Sequence, residues 1–310
     1  MQLFFDDTLT DQVYLQAPYT SHPNRDQRNS TDRVYAAGGS NNVLSLTSDG
    51  AGGYTGTFDL SLSGVPASAA VATTVSGASY VAGGSVSSEG IASIFGNGLA
   101  SATTAAPSLP LPTTLGDTTV TVRDAANTTR NAQLFYASPL QVNALIPAGT
   151  LNGAATITVL QSGTSVGSGT ITVATVAPGL FAANANGAGV VAGYMQRVKA
   201  DNSQVIEAIF QYDSVSQKNV AKAIDMSSAT DKVYLIIFGT NIRNRTSLSG
   251  VVCDLGGIAA TVEYAGKQDT YAGLDQLNIL VPNTVAGKGE VNLNLRVDAI
   301  AANVVTVKFA

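Results

Sequence analysis

The chain has no tryptophan, one cysteine and one histidine, and only 12% of its 310 residues are charged. Each shortage removes a class of function. A lone Cys253 cannot form an intrachain disulfide. In Val251-Val252-Cys253-Asp254-Leu255 it reads as a small buried hydrophobe on a strand. One His and one Cys cannot supply the three or four ligands of a zinc site. His22 stands in Tyr19-Thr20-Ser21-His22-Pro23, within a polar loop, without the buried carboxylate that a Ser-His-Asp arrangement requires. With 16 basic against 21 acidic residues and a net charge of −5, no basic stripe exists to neutralise phosphates, which excludes nucleic acid as a partner. No apolar run reaches the roughly 18 residues of a membrane helix, so no membrane span is expected.

The remaining routes to chemistry are also thin. Gly83-Gly84 and Gly187-Ala188-Gly189 lack the Lys-Ser/Thr ending and helix of a phosphate loop and read as turns, so no cofactor is expected. Asp6 and Asp7 are adjacent and would point to opposite sides of a strand, unlike the facing carboxyls of a glycosidase. Asp49-Gly50 and Asp201-Asn202 could offer oxygens to calcium, but turn formation explains both without a metal. No catalytic residue is nominated, and the chain is read as non-enzymatic.

What the chain does have is alternation with period two. Val120 and Val122, Ile157 and Val159, Ile171 and Val173, and Val291, Leu293, Leu295 and Val297 mark short strands separated by Gly, Ser, Asn and Pro clusters. The pattern predicts an all-β chain of antiparallel sandwiches. Helical periodicity is confined to Val215–Met226, a short candidate. Hairpins are expected from Val43–Thr47 with Tyr54–Leu62, around Ser48–Gly53, and from Val190–Val198 with Gln204–Phe210, around Asp201-Asn202.

The chain also repeats itself. Tyr136-Ala137-Ser138-Pro139-Leu140-Gln141-Val142-Asn143 returns as Tyr271-Ala272-Gly273-Leu274-Asp275-Gln276-Leu277-Asn278. Ile94-Phe95-Gly96 returns as Ile237-Phe238-Gly239, and Leu115-Gly116 with Thr121-Val122 returns as Leu255-Gly256 with Thr261-Val262. Four regions follow: 1–75, an N-terminal strand, polar linker and β-hairpin; 76–176, a first sandwich; 177–230, a connecting insert with its own hairpin; and 231–310, a second sandwich. The insert is expected to pack on a sandwich, because Ile206 and Phe210 need cover, and to hold the repeats at a fixed angle. The Gln-x-Asn pair in each repeat is expected to be structural, its amides bonding to a neighbouring loop or strand edge.

Several blocks resemble a known family. Ser76–Tyr80, Ile91–Ala100, Leu111–Gly116, Phe135–Pro139, Gln141–Asn143 and Ala177–Phe181 in the first half, then Tyr271–Leu274 and Gln276–Asn278, are similar to an uncharacterised C-terminal domain abundant in secreted acidobacterial proteins. The resemblance covers residues 76–310. It implies tandem Ig-like β-sandwich repeats and an extracellular or cell-surface setting, and it implies no catalytic residues. No secretory signal is visible at Met1–Asp7, so an extracellular chain would begin after processing.

The N-terminal segment carries the functional expectation. Leu3, Phe5, Leu9, Val13 and Leu15 make Met1–Ala17 an apolar strand ahead of a polar tether, Ser21–Arg33. Such a strand can complete a neighbouring sandwich by strand addition, and contacts of that kind that do not close propagate into fibres. The other reading is pairing within its own chain. The expected function is an extracellular structural protein, a self-associating filament or sheath subunit. The alternative is a surface adhesin or carbohydrate-binding module, binding polysaccharide or the cell surface through Ala100–Thr114, Lys267–Tyr271 or the tyrosines of the N-terminal region.

Overall fold

The computed structural model describes residues 4–21, 27–36, 43–57 and 70–310. The chain divides into two compact units, Met1–Pro66 and Ala67–Ala310. The smaller unit holds α1 (Asp7–Tyr14), α2 (Arg33–Ala36) and an antiparallel hairpin of β1 (Leu46–Ser48) and β2 (Tyr54–Gly56). The hairpin agrees with the expectation, and its turn is closed by Asp49, whose carboxylate accepts from Ala51 N and Gly53 N, each at 2.8 Å. Residues 58–62 of the expected second strand lie outside the described residues.

The larger unit is all β. Its first half contains β3 (Ala70–Val71), β4 (Thr73–Ser76), β5 (Ser85–Val86), β6 (Ile91–Phe95), β7 (Thr104–Ala105), β8 (Thr114–Leu115), β9 (Thr118–Arg123), β10 (Thr129–Asn131), β11 (Gln133–Ala137), β12 (Gln141–Leu145), β13 (Gly153–Gln161) and β14 (Thr164–Val173). Its second half contains β15 (Gly179–Leu180), β16 (Gly193–Val198), β17 (Gln204–Ala208), β18 (Phe210–Asp213), β19 (Lys218–Ala221), β20 (Lys232–Thr240), β21 (Val251–Leu255), β22 (Ile258–Lys267), β23 (Asp275–Leu280), β24 (Gly289–Val297), β25 (Ile300–Ala301) and β26 (Val305–Phe309).

The alternating apolar residues are the ones buried. Ile94, Leu134 and Val142 from the β4-β6-β12-β11-β7 sheet share a core with Val120, Ile157 and Val173 from the β10-β9-β13-β14 sheet. A second core gathers Leu235, Ile237, Leu277 and Ile279 against Leu293, Leu295, Val305 and Val307. Each fully buried aliphatic side chain of this kind stabilises the fold by roughly 1.5–3 kcal/mol. In the second half β22 is long enough to pair with β21 at one end and β23 at the other. In the first half the same path is broken into β10 and β11.

The halves share order and register. β4-β6-β12-β11 and β16-β20-β23-β22 lie in corresponding order, every neighbour antiparallel. Phe95 faces Gln141 as Phe238 faces Gln276. A bulge between Leu134 and Tyr136, and another between Val262 and Tyr264, set Tyr136 opposite Asn143 and Tyr264 opposite Asn278.

That register corrects part of the sequence alignment. Thr121 and Val122 lie on β9, against β10 and β13, whereas Thr261 and Val262 lie on β22, against β23. Two different hairpins carry a Leu-Gly turn, and matching those turns slipped the alignment by one hairpin. Tyr136 likewise corresponds to Tyr264, not to Tyr271, which sits in a turn.

Other boundaries and assignments also differ. The first sandwich begins before residue 76, since β3 pairs with β14 and β4 with β6. The segment 177–230 is not a separate insert: β15 and β16 both pair with β20 and extend the second sandwich's own sheet. Its expected hairpin is present as β16 and β17. Ile206 nevertheless stays 66% exposed, and Ile209 supplies the buried contact instead, with Phe210 packed beside the core. The weak helical pattern at Val215–Met226 is overridden by pairing of β19 with β18. Among the described residues no helix is long and apolar enough to cross a membrane.

Candidate functional site

The N-terminal segment is a helix where alternation predicts a strand. Asp6 explains why. Its carboxylate accepts from Thr8 N at 2.7 Å and Leu9 N at 3.4 Å, capping orphan donors of the first turn, and Asp7 adds a negative charge near the positive end of the helix dipole. Phe5, Leu9 and Val13 are four residues apart, a spacing that suits one helical face as well as alternation suits a strand. The alternating stretch Gln12–Gln16 is too short to outweigh the cap.

The polar stretch does not act as a free tether in its described part. Arg28 holds Asp11 through two hydrogen bonds at 3.0 and 3.2 Å, and Asn29 donates its Nδ2 to Phe5 O at 2.8 Å and its backbone N to Asp7 Oδ1 at 3.1 Å. Phe4 is buried and meets Tyr35 edge-on at 5.2 Å. His22 and Leu3 lie outside the described residues.

Three of the other expected assembly residues gather on one surface, and Leu15 lies outside it. Phe5, Leu9 and Val13 line an apolar groove of about 350 Å³ with Leu46 and Tyr54 from the hairpin. Phe5 is 51% exposed, Val13 43% and Leu15 69%. α1 buries none of its residues. An isolated helix of this length is marginal in water, so α1 depends on its cap and on the Asp11–Arg28 and Asp7–Asn29 contacts.

A second arrangement joins the two sandwiches, and sequence reasoning did not name its residues. Asn241 is fully buried in a left-handed backbone conformation, φ +65°. Its Oδ1 accepts from Ser87 N at 2.7 Å and Ser87 Oγ at 3.2 Å, and its Nδ2 donates to Ser76 Oγ at 3.3 Å. Thr240 Oγ1 accepts from Ile91 N at 2.9 Å and donates to Gly273 O at 2.8 Å. Asn244 Nδ2 donates to Ser88 O at 2.9 Å. The loop bearing these groups is held from behind by buried Asp275, which accepts from Ile242 N at 2.7 Å and Arg243 Nε at 2.7 Å. Arg243 also donates to Leu274 O at 2.8 Å, and Arg245 to Ala265 O at 2.6 Å. Gly273, at φ +70°, lies so close to the first sandwich that a Cβ would stand 2.6 Å from Ile91 Cγ1 and 2.7 Å from Leu145 Cδ1. A joint of buried, satisfied polar groups and close-packed backbone holds one orientation.

The joint occupies positions at which the two repeats differ. Gly98 and Asn241 hold the same position after Phe-Gly, both left-handed, at φ +67° and +65°. Asn tolerates that region while adding a side chain that bonds across the joint. Leu140 of the first repeat corresponds to Asp275 of the second. Four residues separate Tyr136 from Gln141, against eleven between Tyr264 and Gln276, and Gly273 belongs to the added stretch.

The Gln-x-Asn pairs bond internally in both repeats, and in the first the Asn also bonds to the neighbouring strand β6. Gln141 Nε2 donates to Asn143 Oδ1 at 2.8 Å, and Gln276 Nε2 to Asn278 Oδ1 at 2.8 Å. Ser93 Oγ adds a second donor to Asn143 Oδ1 at 2.9 Å.

Titratable groups serve the fold. Burial pushes the Cys253 thiol up to about 12, with Asp254 adding to it, so the sulfur remains protonated and inert. Burial raises the Asp275 carboxyl above the usual range, opposed by Arg243. The side-chain bond from Arg130 is the largest influence lowering Asp124. Asp201 Oδ1 is occupied by Ser203 N at 2.9 Å and Ser203 Oγ at 2.6 Å. Among the described residues no three His, Cys, Asp or Glu side chains come together to hold a metal. Neither protein-family models nor characterised proteins give a match to this chain.

Proposed function

We propose that the chain is a non-enzymatic, extracellular structural protein whose copies associate through the N-terminal unit, with the Ig-like character of the repeats resting on the family resemblance. The observation that carries this reading is the apolar groove of Phe5, Leu9, Val13, Leu46 and Tyr54, open to solvent on a small unit. A second copy is the natural occupant, offering its exposed Leu15 to the groove in a head-to-tail contact, which need not close and so propagates. Insertion of the segment into a neighbour as a strand would first require α1 to unwind, which its lack of buried residues makes inexpensive. The fixed joint between the sandwiches supports a structural role under tension. Deleting residues 1–17 should abolish concentration-dependent association in sedimentation velocity. Association at unchanged strength in the truncated chain would rule out the N-terminal segment as the contact. The adhesin reading remains the alternative, favoured by an aromatic cleft on the larger unit.

A further inference from the structure

A cleft of about 270 Å³ opens on the outer face of the β6-β12-β11 sheet, where the segment after Ala177 crosses it. Its walls are half-buried Tyr80, Phe135 and Phe181, and its polar floor is Ser93 and Asn143. The polar floor is oriented. Asn143 Oδ1 is taken by Gln141 Nε2 and Ser93 Oγ, so the amide's Nδ2, which donates to no acceptor among the described residues, is the group left for a ligand. Tyr80 is held at φ +54°, a conformation uncommon for a bulky residue, and its ring leans on Phe95 at 6.3 Å. Strain of this kind persists where the surroundings fix a side chain's position. The second repeat lacks the arrangement, since Ile236 stands opposite Asn278 where Ser93 stands opposite Asn143.

We propose that this cleft binds one neutral pyranose ring of a glycan, its C–H face on the aromatic walls and a hydroxyl oxygen accepting from Asn143 Nδ2. Among the described residues no charged side chain lines the cleft, which disfavours phosphorylated or anionic ligands. Its volume falls below the roughly 300–1,000 Å³ of sites for drug-sized molecules, so one ring fits and an extended oligosaccharide does not. Rings supply apolar contact and the amide supplies orientation.

The test is titration of the full chain with methyl glycosides of glucose, galactose, mannose and N-acetylglucosamine, followed through the side-chain amide resonance of Asn143 and the aromatic resonances. Asn143→Asp keeps the acceptor for Gln141 and Ser93, removes the donor facing the cleft and adds one negative charge beside it. Tyr80→Gly removes one wall while matching its backbone conformation. A saturable shift with at least one sugar is expected, weakened about tenfold in each variant, the scale of one lost hydrogen bond or contact. No saturable shift with any of these sugars overturns the proposal. Equal affinity in wild type and both variants overturns it too, by placing the sugar elsewhere.

Discussion

Asn241 shows how much a single amide can determine. It joins Ser76 and Ser87 of the first sandwich to the second, with every polar atom of its side chain bonded and none in water. Asn241→Leu would leave the Ser87 N–H buried and unpaired, at a cost of about 2 kcal/mol in chemical denaturation. Asp275→Ala leaves Arg243 buried without its carboxylate and should lose about 3 kcal/mol by the same measurement. Cys253 offers a reporter in the opposite sense. With its thiol pushed up to about 12 by burial, iodoacetamide should label it only as fast as the chain globally opens. Rapid labelling of the native chain would contradict its place in the core.

At the scale of elements, α1 is the least secure piece. Asp6→Ala removes the cap and should cost about 1 kcal/mol, read as faster amide exchange at Thr8 and Leu9 with the sandwich strands unaffected. The strands were legible because alternation and burial coincide in them: Val120, Val122, Ile157 and Val159 are apolar, alternate, and all point inward. The helix was not, because Phe5, Leu9 and Val13 fit both periods over so short a segment, and the cap at Asp6 was read only as half of a carboxylate pair. The joint was hidden for another reason. Nothing in Thr240-Asn241 marks it as buried until the repeat register aligns it with Asn97-Gly98. That register was itself obscured by two hairpins with similar turns. The cleft drew on the Gln-x-Asn pair, whose recurrence was visible, but Tyr80 and Phe181 reach it only through the fold.

For the whole molecule, many turns are closed by aspartates whose carboxyls are held below the usual value of 3.8, among them Asp49, Asp124, Asp201 and Asp213. A folded-state pKa below the unfolded one contributes stability that is complete above the unfolded value and lost as pH falls through the folded one. Asp275 works the other way, its raised carboxyl favouring the folded state more as pH falls. The depressed group is the larger, so the melting temperature should decline as pH drops below about 4. A flat or rising profile there would give Asp275 the greater weight. Low charge, a rigid joint and an apolar groove on the smaller unit combine into the central claim, that copies of this chain assemble through that groove. Negative-stain electron microscopy across a concentration series, for the intact chain beside a Leu9→Ser, Val13→Ser variant, tests it most directly. Regular fibres from the intact chain and discrete particles from the variant are predicted; discrete particles from both, or fibres from both, would contradict the account.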